Sequence, residues 1–188
     1  MTIEGLDPQA LHDLRTTAID HGGNTVEPFI DADGGWPLRC CLTDSARGDE
    51  LAIVAWSPFP WRGPYRETGP IVIHARPCAG ADGTTEVPSQ FLGRRQLLRP
   101  YGHDRRIAYD HVVIVEPDGS LPSVLGALLG NDEIDFVHVR NVNAGCYSFT
   151  ARRGPRLPER LPSRTHAVRI GRAEHRPPGV PTIAPIDI

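Results

Sequence analysis

Two side chains with the chemistry of a nucleophile and a base lie near each other in the stretch IDFVHVRNVNAGCYSFTA, residues 134–151. Cys146 can act as a thiolate nucleophile and His138 as a general base. Arg140 lies between them, and a nearby cation lowers the pKa of a thiol. We therefore treat Cys146, His138 and the more distant His74 as candidate catalytic residues. The alternative is that Cys146 is an ordinary small residue packed in a sheet.

The same stretch predicts a β-hairpin. Residues 135–142 and 146–150 are rich in Val, Phe, Tyr and Thr, which favour strands. A three-residue loop between them ends at Gly145, and glycine readily supplies the positive φ that such loops require. The predicted register pairs Val142 with Cys146, Arg140 with Ser148, and His138 with Thr150.

Alternation of side chains along this hairpin predicts two unlike faces. The face expected in the core carries Val137, Val139, Tyr147 and Phe149. The polar face carries Phe136, His138, Arg140, Cys146, Ser148 and Thr150. Four residues separate His138 from the partner of Cys146, which is about 13 Å along a strand. Any base for Cys146 must therefore come from another segment.

A proline-rich loop offers aromatic walls for a ligand. Residues 57–69 contain Pro58, Pro60 and Pro64 together with Phe59, Trp61 and Tyr65. Long loops of this kind are often functional, although the same aromatics can simply cap a core. We predict that any ligand pocket lies where this loop meets the polar face of the hairpin. His74 ends the strand that follows the loop, so we expect it to line the same region.

Arginines in and beside these segments predict an anionic ligand, because a guanidinium fork matches carboxylate or phosphate. The alternative is that each arginine pairs with an acid such as Glu50 or Glu67. The predicted ligand-binding residues are Arg39, Arg140, Tyr65, Arg66, Glu67 and Asn141.

Metal binding has one weak signal, the spacing His74-x3-Cys78, with Cys40, Cys146 or His138 as further possible donors. Structural zinc sites usually show paired ligands such as C-x2-C, and the sequence has none. We therefore predict no metal site and no cofactor. Cys40 and Cys41 are adjacent in a predicted strand, residues 36–42, and should point to opposite faces.

The wider pattern predicts one α+β domain over residues 1–173 and an extended, proline-rich tail over residues 174–188. Apolar spacing indicates helices near residues 8–20 and 121–130. They, and a third short helix after Pro88, should pack on a mainly antiparallel sheet of about six to eight strands. The alternative fold is a half-open β-barrel carrying the same helices.

Composition excludes several classes of function. The formal net charge of −3 gives no basic signal for nucleic acid, and no apolar stretch is long enough to span a membrane. The N-terminus lacks the pattern of a secretory signal. We therefore expect a cytoplasmic protein with reduced cysteines.

Several short motifs resemble a bacterial family called domain of unknown function 1203 (DUF1203). They are Pro37-Leu38-Arg39-Cys40 followed by Gly48-Asp49-Glu50, Pro64-Tyr65-Arg66 running into Gly69-Pro70-Ile71-Val72-Ile73-His74, and Phe136-Val137-His138-Val139-Arg140-Asn141 with Gly145-Cys146-Tyr147. The resemblance covers residues 24–152. It implies a small, soluble bacterial domain and brings no activity and no catalytic residues.

Two classes of function stay open at this point. One is binding of a small anionic molecule by arginine anchors, with a cysteine or histidine making the protein an enzyme. The other is a non-catalytic protein-interaction module. The sequence does not decide between them, and it does not give the oligomeric state.

Overall fold

The computed structural model describes residues 1–81 and 83–154. Its helices and strands in chain order are β1 (Thr2–Glu4), α1 (Pro8–Thr17), β2 (Pro28–Ile30), β3 (Glu50–Trp56), β4 (Gly69–His74), β5 (Gln96–Gly102), β6 (Val113–Val115), α2 (Leu121–Gly130), β7 (Ile134–Asn141) and β8 (Tyr147–Arg152). The predicted α+β class is confirmed. Within the described residues the eight strands form two antiparallel sheets rather than a barrel.

Both predicted helices are present, and each begins at a side-chain cap. The carboxylate of Asp7 accepts a hydrogen bond from the Ala10 amide, and Pro8 opens α1. Such a cap satisfies one of the free amides of the first turn. Ser120 caps α2 in the same way. After Pro88 the structure has only a short 3₁₀ turn, Ser89–Phe91.

The larger sheet has the strand order β1-β8-β7-β5-β6 and carries α2 on one face. Leu121, Leu125 and Leu129 lie one turn apart on α2 and are buried against this face. Val137, Val139 and Phe149 are the sheet residues that meet them. This is the apolar face predicted for the hairpin, apart from Tyr147.

A β-bulge shifts the register of the hairpin, so the predicted pairing is correct on one side of the bulge and wrong on the other. His138 pairs with Thr150 as predicted, and Gly145 has a φ of +67°. The register shifts after Val139, so Arg140 pairs with Tyr147 instead of Ser148. The predicted pairing of Val142 with Cys146 is also wrong, because the Asn141 amide donates to the Cys146 carbonyl.

The expectation of one buried and one polar face is wrong, since both faces of the hairpin are buried. On the supposedly polar face His138 is 1% exposed, Arg140 4% and Ser148 2%, while Tyr147 is 5% exposed. Tyr147 packs into the core of the smaller sheet rather than against α2. The bulge moves Tyr147 to the other face, because one extra residue in the strand changes the side on which its neighbour lies. That face is itself buried, because Phe59 and the core of the smaller sheet cover it.

The smaller sheet has the order β2-β3-β4 and packs with α1. Leu11 and Leu14 of α1 are buried in the same core as Leu51, Val54 and Ile73 of the sheet. This core also holds Leu38 and Cys40. The segment that carries the adjacent cysteines is therefore fixed against β4.

The predicted strand over residues 36–42 is wrong. Only Pro37 and Leu38 make bridges, and the chain then turns back so that the Leu38 amide donates to the Thr43 carbonyl. Leu42 has a φ of +55°, a left-handed conformation that costs a non-glycine residue about 1 kcal/mol. The turn replaces the alternation of a strand, so Cys40 and Cys41 are free to face the same side.

The predicted tail, residues 174–188, and the predicted domain boundary at residue 173 lie outside the described residues. Among the helices that the structure does describe, neither has the length and apolar character that crossing a membrane requires.

Candidate functional site

Three of the four cysteines gather around one histidine. Cys40, Cys41, His74 and Cys78, here called the sulfur cluster, each offer one ligand atom, and these atoms all lie within 4.8 Å of one another. The four cysteines of the chain are all free thiols, and only Cys146 lies outside the cluster. Cys40 and His74 are 34 residues apart in the chain, so the cluster depends on the fold rather than on a local motif.

The turn over residues 38–43 and the end of β4 bring the cluster together. The Arg39 amide donates to the Val72 carbonyl at 2.9 Å and holds the turn beside β4. The His74 amide then donates to Cys40 Sγ at 3.2 Å. Cys78 lies four residues after His74, in the loop that follows β4. This loop brings the Cys78 sulfur to within 4.8 Å of the other ligand atoms.

The spacing among the ligand atoms of Cys40, Cys41 and His74 matches that of a tetrahedral metal site, and Cys78 Sγ lies within 4.8 Å of each of them. Cys40 Sγ lies 3.9 Å from Cys41 Sγ and 3.6 Å from His74 Nδ1, and Cys41 Sγ lies 3.7 Å from the same nitrogen. Zinc–sulfur bonds of about 2.3 Å and zinc–nitrogen bonds of about 2.0 Å place tetrahedral ligands at about 3.8 Å for S···S and about 3.5 Å for S···N. The measured distances deviate from these by a few tenths of an ångström.

Polar groups outside the cluster orient its members. Asp49 Oδ2 lies 3.3 Å from His74 Nε2, so Nδ1 is the ring nitrogen that faces the sulfurs. The Thr43 hydroxyl lies 3.0 Å from Cys41 Sγ. Arg15 donates to the His74 carbonyl at 3.0 Å and reaches Cys78 Sγ at 3.9 Å, which places a cation beside the sulfurs.

The groups of the sulfur cluster differ in the direction in which their pKa values are shifted. The hydrogen bond from Cys40 lowers the pKa of Cys41 to about 5, and that bond together with burial raises the pKa of Cys40. Burial acts to raise the pKa of Cys78, but the Gly80 amide and His74 outweigh it and lower that pKa. Burial opposes protonation of His74, but Cys78 and Asp49 outweigh it and raise the pKa of His74.

The loop and the hairpin meet where the sequence placed a pocket, but the space between them is small. Glu67 of the loop forms an ion pair with Arg140 of the hairpin, and the cavity beside them has a volume of about 90 Å³. Trp56 and Tyr147 supply aromatic wall, and Cys146 lines the same cavity. Of the six predicted ligand-binding residues, Glu67 and Arg140 line it.

The other four predicted ligand-binding residues make structural contacts. Arg39 is buried and donates from Nε to the Tyr147 carbonyl at 2.6 Å. The Asn141 side chain accepts amide hydrogens of the hairpin loop. Tyr65 packs against the buried group formed by Phe59, Tyr101 and Phe136, and Arg66 donates to the Ser57 hydroxyl. Burial lowers the pKa of Arg140 to about 10, so this side chain stays charged at neutral pH.

His138 lies in an aromatic environment rather than in a site. Its ring is within about 5 Å of the rings of Phe59, Tyr101, Phe136 and Tyr147, and its Nδ1 has no hydrogen-bond partner among the described residues. We call His138, Phe59, Tyr101 and Phe136 the aromatic cluster. Burial, assisted by nearby arginines, lowers the pKa of His138 to about 3, so the ring is neutral at ordinary pH.

The three predicted catalytic residues therefore lie in three different places. Cys146 lines the small cavity, His138 is in the aromatic cluster, and His74 is in the sulfur cluster. The expectation that His74 lines the cavity beside the loop is wrong, because it stands at the opposite end of β4 from Gly69. The sequence does contain a signal for the residues that surround His74 in the structure. It is the His74-x3-Cys78 spacing, with Cys40 as a further possible metal ligand.

Partial similarity connects the chain to larger curated proteins. It is 38% identical over 95 residues to a 3-isopropylmalate dehydrogenase of Mycobacterium sp. (strain KMS), covering 46% of this chain and 27% of that enzyme. It is 44% identical over 69 residues to a 3-isopropylmalate dehydrogenase of Streptomyces coelicolor, covering 37% of this chain and 18% of that enzyme. The chain thus spans about a quarter or less of the length of these relatives.

No solved structure matches the chain significantly. A family model does match, over residues 35–153, and its description is protein of unknown function (DUF1203). The matched range holds both the sulfur cluster and the hairpin cavity. The resemblance read from the short motifs is confirmed, and the chain belongs to the DUF1203 family.

Proposed function

We propose that this protein binds one Zn²⁺ ion through Cys40, Cys41, His74 and Cys78, and that the ion stabilises the domain. The observation that carries the proposal is the convergence of three sulfurs and one imidazole nitrogen to within 4.8 Å of one another, with the three distances among Cys40, Cys41 and His74 close to tetrahedral values. The proposal departs from the sequence prediction of no metal and no cofactor. That prediction relied on ligand pairs close in sequence, which this site does not use.

The donor set selects the class of metal. Thiolate and imidazole ligands favour zinc and other soft or borderline ions, whereas Mg²⁺ and Ca²⁺ require oxygen ligands. The contact between Asp49 and His74 Nε2 is the carboxylate–histidine arrangement that commonly supports a metal-bound imidazole. Three thiolates and Zn²⁺ leave one net negative charge, and Arg15 lies beside Cys78 to offset it.

The geometry favours a structural role for the ion. Four protein ligands complete a tetrahedron and leave no position for a water or substrate, which is typical of structural zinc. Bound zinc would link the turn over residues 38–43, the end of β4 and the loop that carries Cys78. In this proposal the protein is a metal-stabilised, non-catalytic module of a reducing compartment such as the cytoplasm, where the thiols stay available.

A zinc titration of chelator-treated, reduced protein tests the proposal. We expect one zinc per chain by elemental analysis. At a free zinc concentration about 100 times the Kd, stability rises by about 2.7 kcal/mol. Cys41→Ser and His74→Ala should each weaken binding by more than about 100-fold, beyond the effect of an outer-shell change.

Cys146→Ser is the matched control, because Cys146 is the one cysteine outside the cluster. It should keep full zinc binding. Wild-type protein that binds less than a tenth of an equivalent of zinc, with no gain in melting temperature, would refute the proposal.

Binding of a small organic anion in the hairpin cavity is a second candidate. Arg140 is a buried cation whose Nε has no hydrogen-bond partner among the described residues. The curated relatives act on 3-isopropylmalate, which is a small dicarboxylate. Glu67 already neutralises part of the Arg140 charge, so an anion would have to compete with it.

Thermal shift with phosphate and with 3-isopropylmalate tests this second candidate. The anions should stabilise the wild type and not Arg140→Ala. Arg95→Ala is the control, since Arg95 forms an exposed pair with Glu116. Equal stabilisation of all three proteins would remove Arg140 from the site.

A further inference from the structure

A groove reaches the sulfur cluster from the side of α1. It has a volume of about 390 Å³ and is bounded by α1 and the loop over residues 77–81. Cys40 and Cys78 both line it, together with apolar residues such as Leu6 and Leu11. Structural zinc sites are usually closed to solvent molecules, so an open approach to two of the sulfurs needs a separate explanation.

We infer, building on the proposed zinc site, that the sulfur cluster is a reversible oxidation site for hydrogen peroxide. Oxidation forms a disulfide between Cys78 and one of the two adjacent cysteines, Cys40 or Cys41, and this releases the zinc ion. The inference goes beyond metal binding, because it makes occupancy of the site depend on the oxidant.

The chemistry balances with two electrons. The Cys78 thiolate attacks one peroxide oxygen, the O–O bond breaks, and a sulfenic acid and a hydroxide ion form. A thiolate of the adjacent pair then attacks the Cys78 sulfur, which forms the S–S bond and expels a second hydroxide. Two thiolates are oxidised and one peroxide is reduced. The ion is left with one thiolate and His74, and two ligands do not hold zinc.

Cys78 is the residue best placed to react first. It is half-buried and lines the groove, whereas Cys40 is only 2% exposed. Its sulfur lies within 4.8 Å of the other ligand atoms, so a disulfide of about 2.05 Å requires a shift of under about 3 Å. The loop that carries Cys78 has Gly80 at a φ of +77°, and Arg15 keeps a positive charge beside the sulfur.

A disulfide between the adjacent residues Cys40 and Cys41 is less favourable than one that includes Cys78. A disulfide between Cys40 and Cys41 would close a ring through a single peptide unit and strain both residues of the turn. The third thiol, delivered by a different loop, gives the pair a partner without this strain. The fourth thiol, Cys146, belongs to the hairpin cavity and serves as an internal reference.

The experiment treats zinc-loaded full-length protein with a small molar excess of hydrogen peroxide. Released zinc is followed with a chromogenic chelator, and free thiols are counted in parallel. We expect loss of one zinc and two thiols per chain, and recovery of both after dithiothreitol and added zinc. Tryptic mapping should show the peptide of residues 40–47 joined to the peptide that carries Cys78.

Cys146→Ser should release zinc at the wild-type rate, because the reaction does not use that thiol. Zinc that stays bound while Cys146 is oxidised, or a disulfide confined to residues 40–47, would overturn the inference and leave the zinc site intact. Failure of the untreated protein to bind zinc would instead refute the proposed function. The wild-type peptide map decides the question even where a cluster variant does not fold.

Discussion

The sequence predicts both His74 and His138 as candidate catalytic residues, yet the two histidines occupy opposite environments. The side chain of His74 is 23% exposed and contacts Asp49 and two sulfurs. His138 is 1% exposed, is surrounded by aromatic rings, and leaves Nδ1 without a partner among the described residues. The pKa of His74 is raised by its partners, and the pKa of His138 is lowered by burial.

The comparison teaches that neighbours, rather than residue type, decide what a histidine can do. The sulfur cluster supplies sulfur and nitrogen atoms that can bind a proton or a metal cation. The aromatic cluster supplies apolar contact, so its histidine contributes packing and is costly to charge. One region is expected to respond to metal, and the other to pH and to changes of volume.

The largest expected effect is the loss of stability when the aromatic cluster is hollowed. Phe136 is fully buried and stacks on Tyr101 with ring centroids 4.8 Å apart. Phe136→Ala should lower the free energy of unfolding by about 3–5 kcal/mol in urea denaturation. Zinc stoichiometry should not change. Loss of zinc with only a small change in stability would contradict the independence of the aromatic cluster from the sulfur cluster.

The next effect in size is the dependence of stability on pH through His138. Its pKa of about 3 in the folded protein lies below the ordinary value of 6.5, so the unfolded chain binds the extra proton between these values. The contribution is complete above pH 6.5 and is lost as the pH falls toward 3. Between pH 6.5 and 5 the loss is about 2 kcal/mol.

His138→Leu isolates this contribution, because leucine fills a similar volume and does not titrate. The difference in unfolding free energy between wild type and variant should change with pH by the amount given above, as measured by chemical denaturation. Parallel pH profiles for the two proteins would show that His138 is not held neutral.

A smaller effect on zinc affinity is expected when His74 is kept as a ligand but the carboxylate that orients its ring is removed. Asp49→Asn removes the carboxylate that faces Nε2 and should lower zinc affinity by about tenfold, as measured by competition with a chelator. Asp44→Asn is the control, because Asp44 is near the adjacent cysteines but pairs with Arg94. Equal affinity for wild type and both variants would remove Asp49 from the metal site.

Local patterns in the sequence were enough to predict much of the fold. The apolar spacing of the two helices and the glycine of the hairpin loop are short-range signals, and the structure contains them all. The bulge after Val139 has no such signal. It shifts the register of the two strands and places Tyr147 in the core of the smaller sheet.

The sulfur cluster was the part least accessible to sequence reasoning. Its ligands come from a turn, from the end of a strand and from the loop that follows that strand. The sequence predicts a strand in place of the turn, because Leu38, Cys40 and Leu42 alternate with Arg39 and Cys41. All three are buried, as that pattern implies, but the chain reaches this through Leu42 in a left-handed conformation. A strand would have separated the sulfurs of Cys40 and Cys41, whereas the turn brings them to 3.9 Å.

X-ray absorption at the zinc edge of the loaded, reduced wild-type protein tests the zinc site most directly. The proposed ligands predict a four-coordinate ion with three sulfur neighbours at about 2.3 Å and one nitrogen neighbour at about 2.0 Å. A first shell made only of oxygen and nitrogen atoms, or one with a single sulfur, would contradict the assignment of Cys40, Cys41, His74 and Cys78 as the metal ligands.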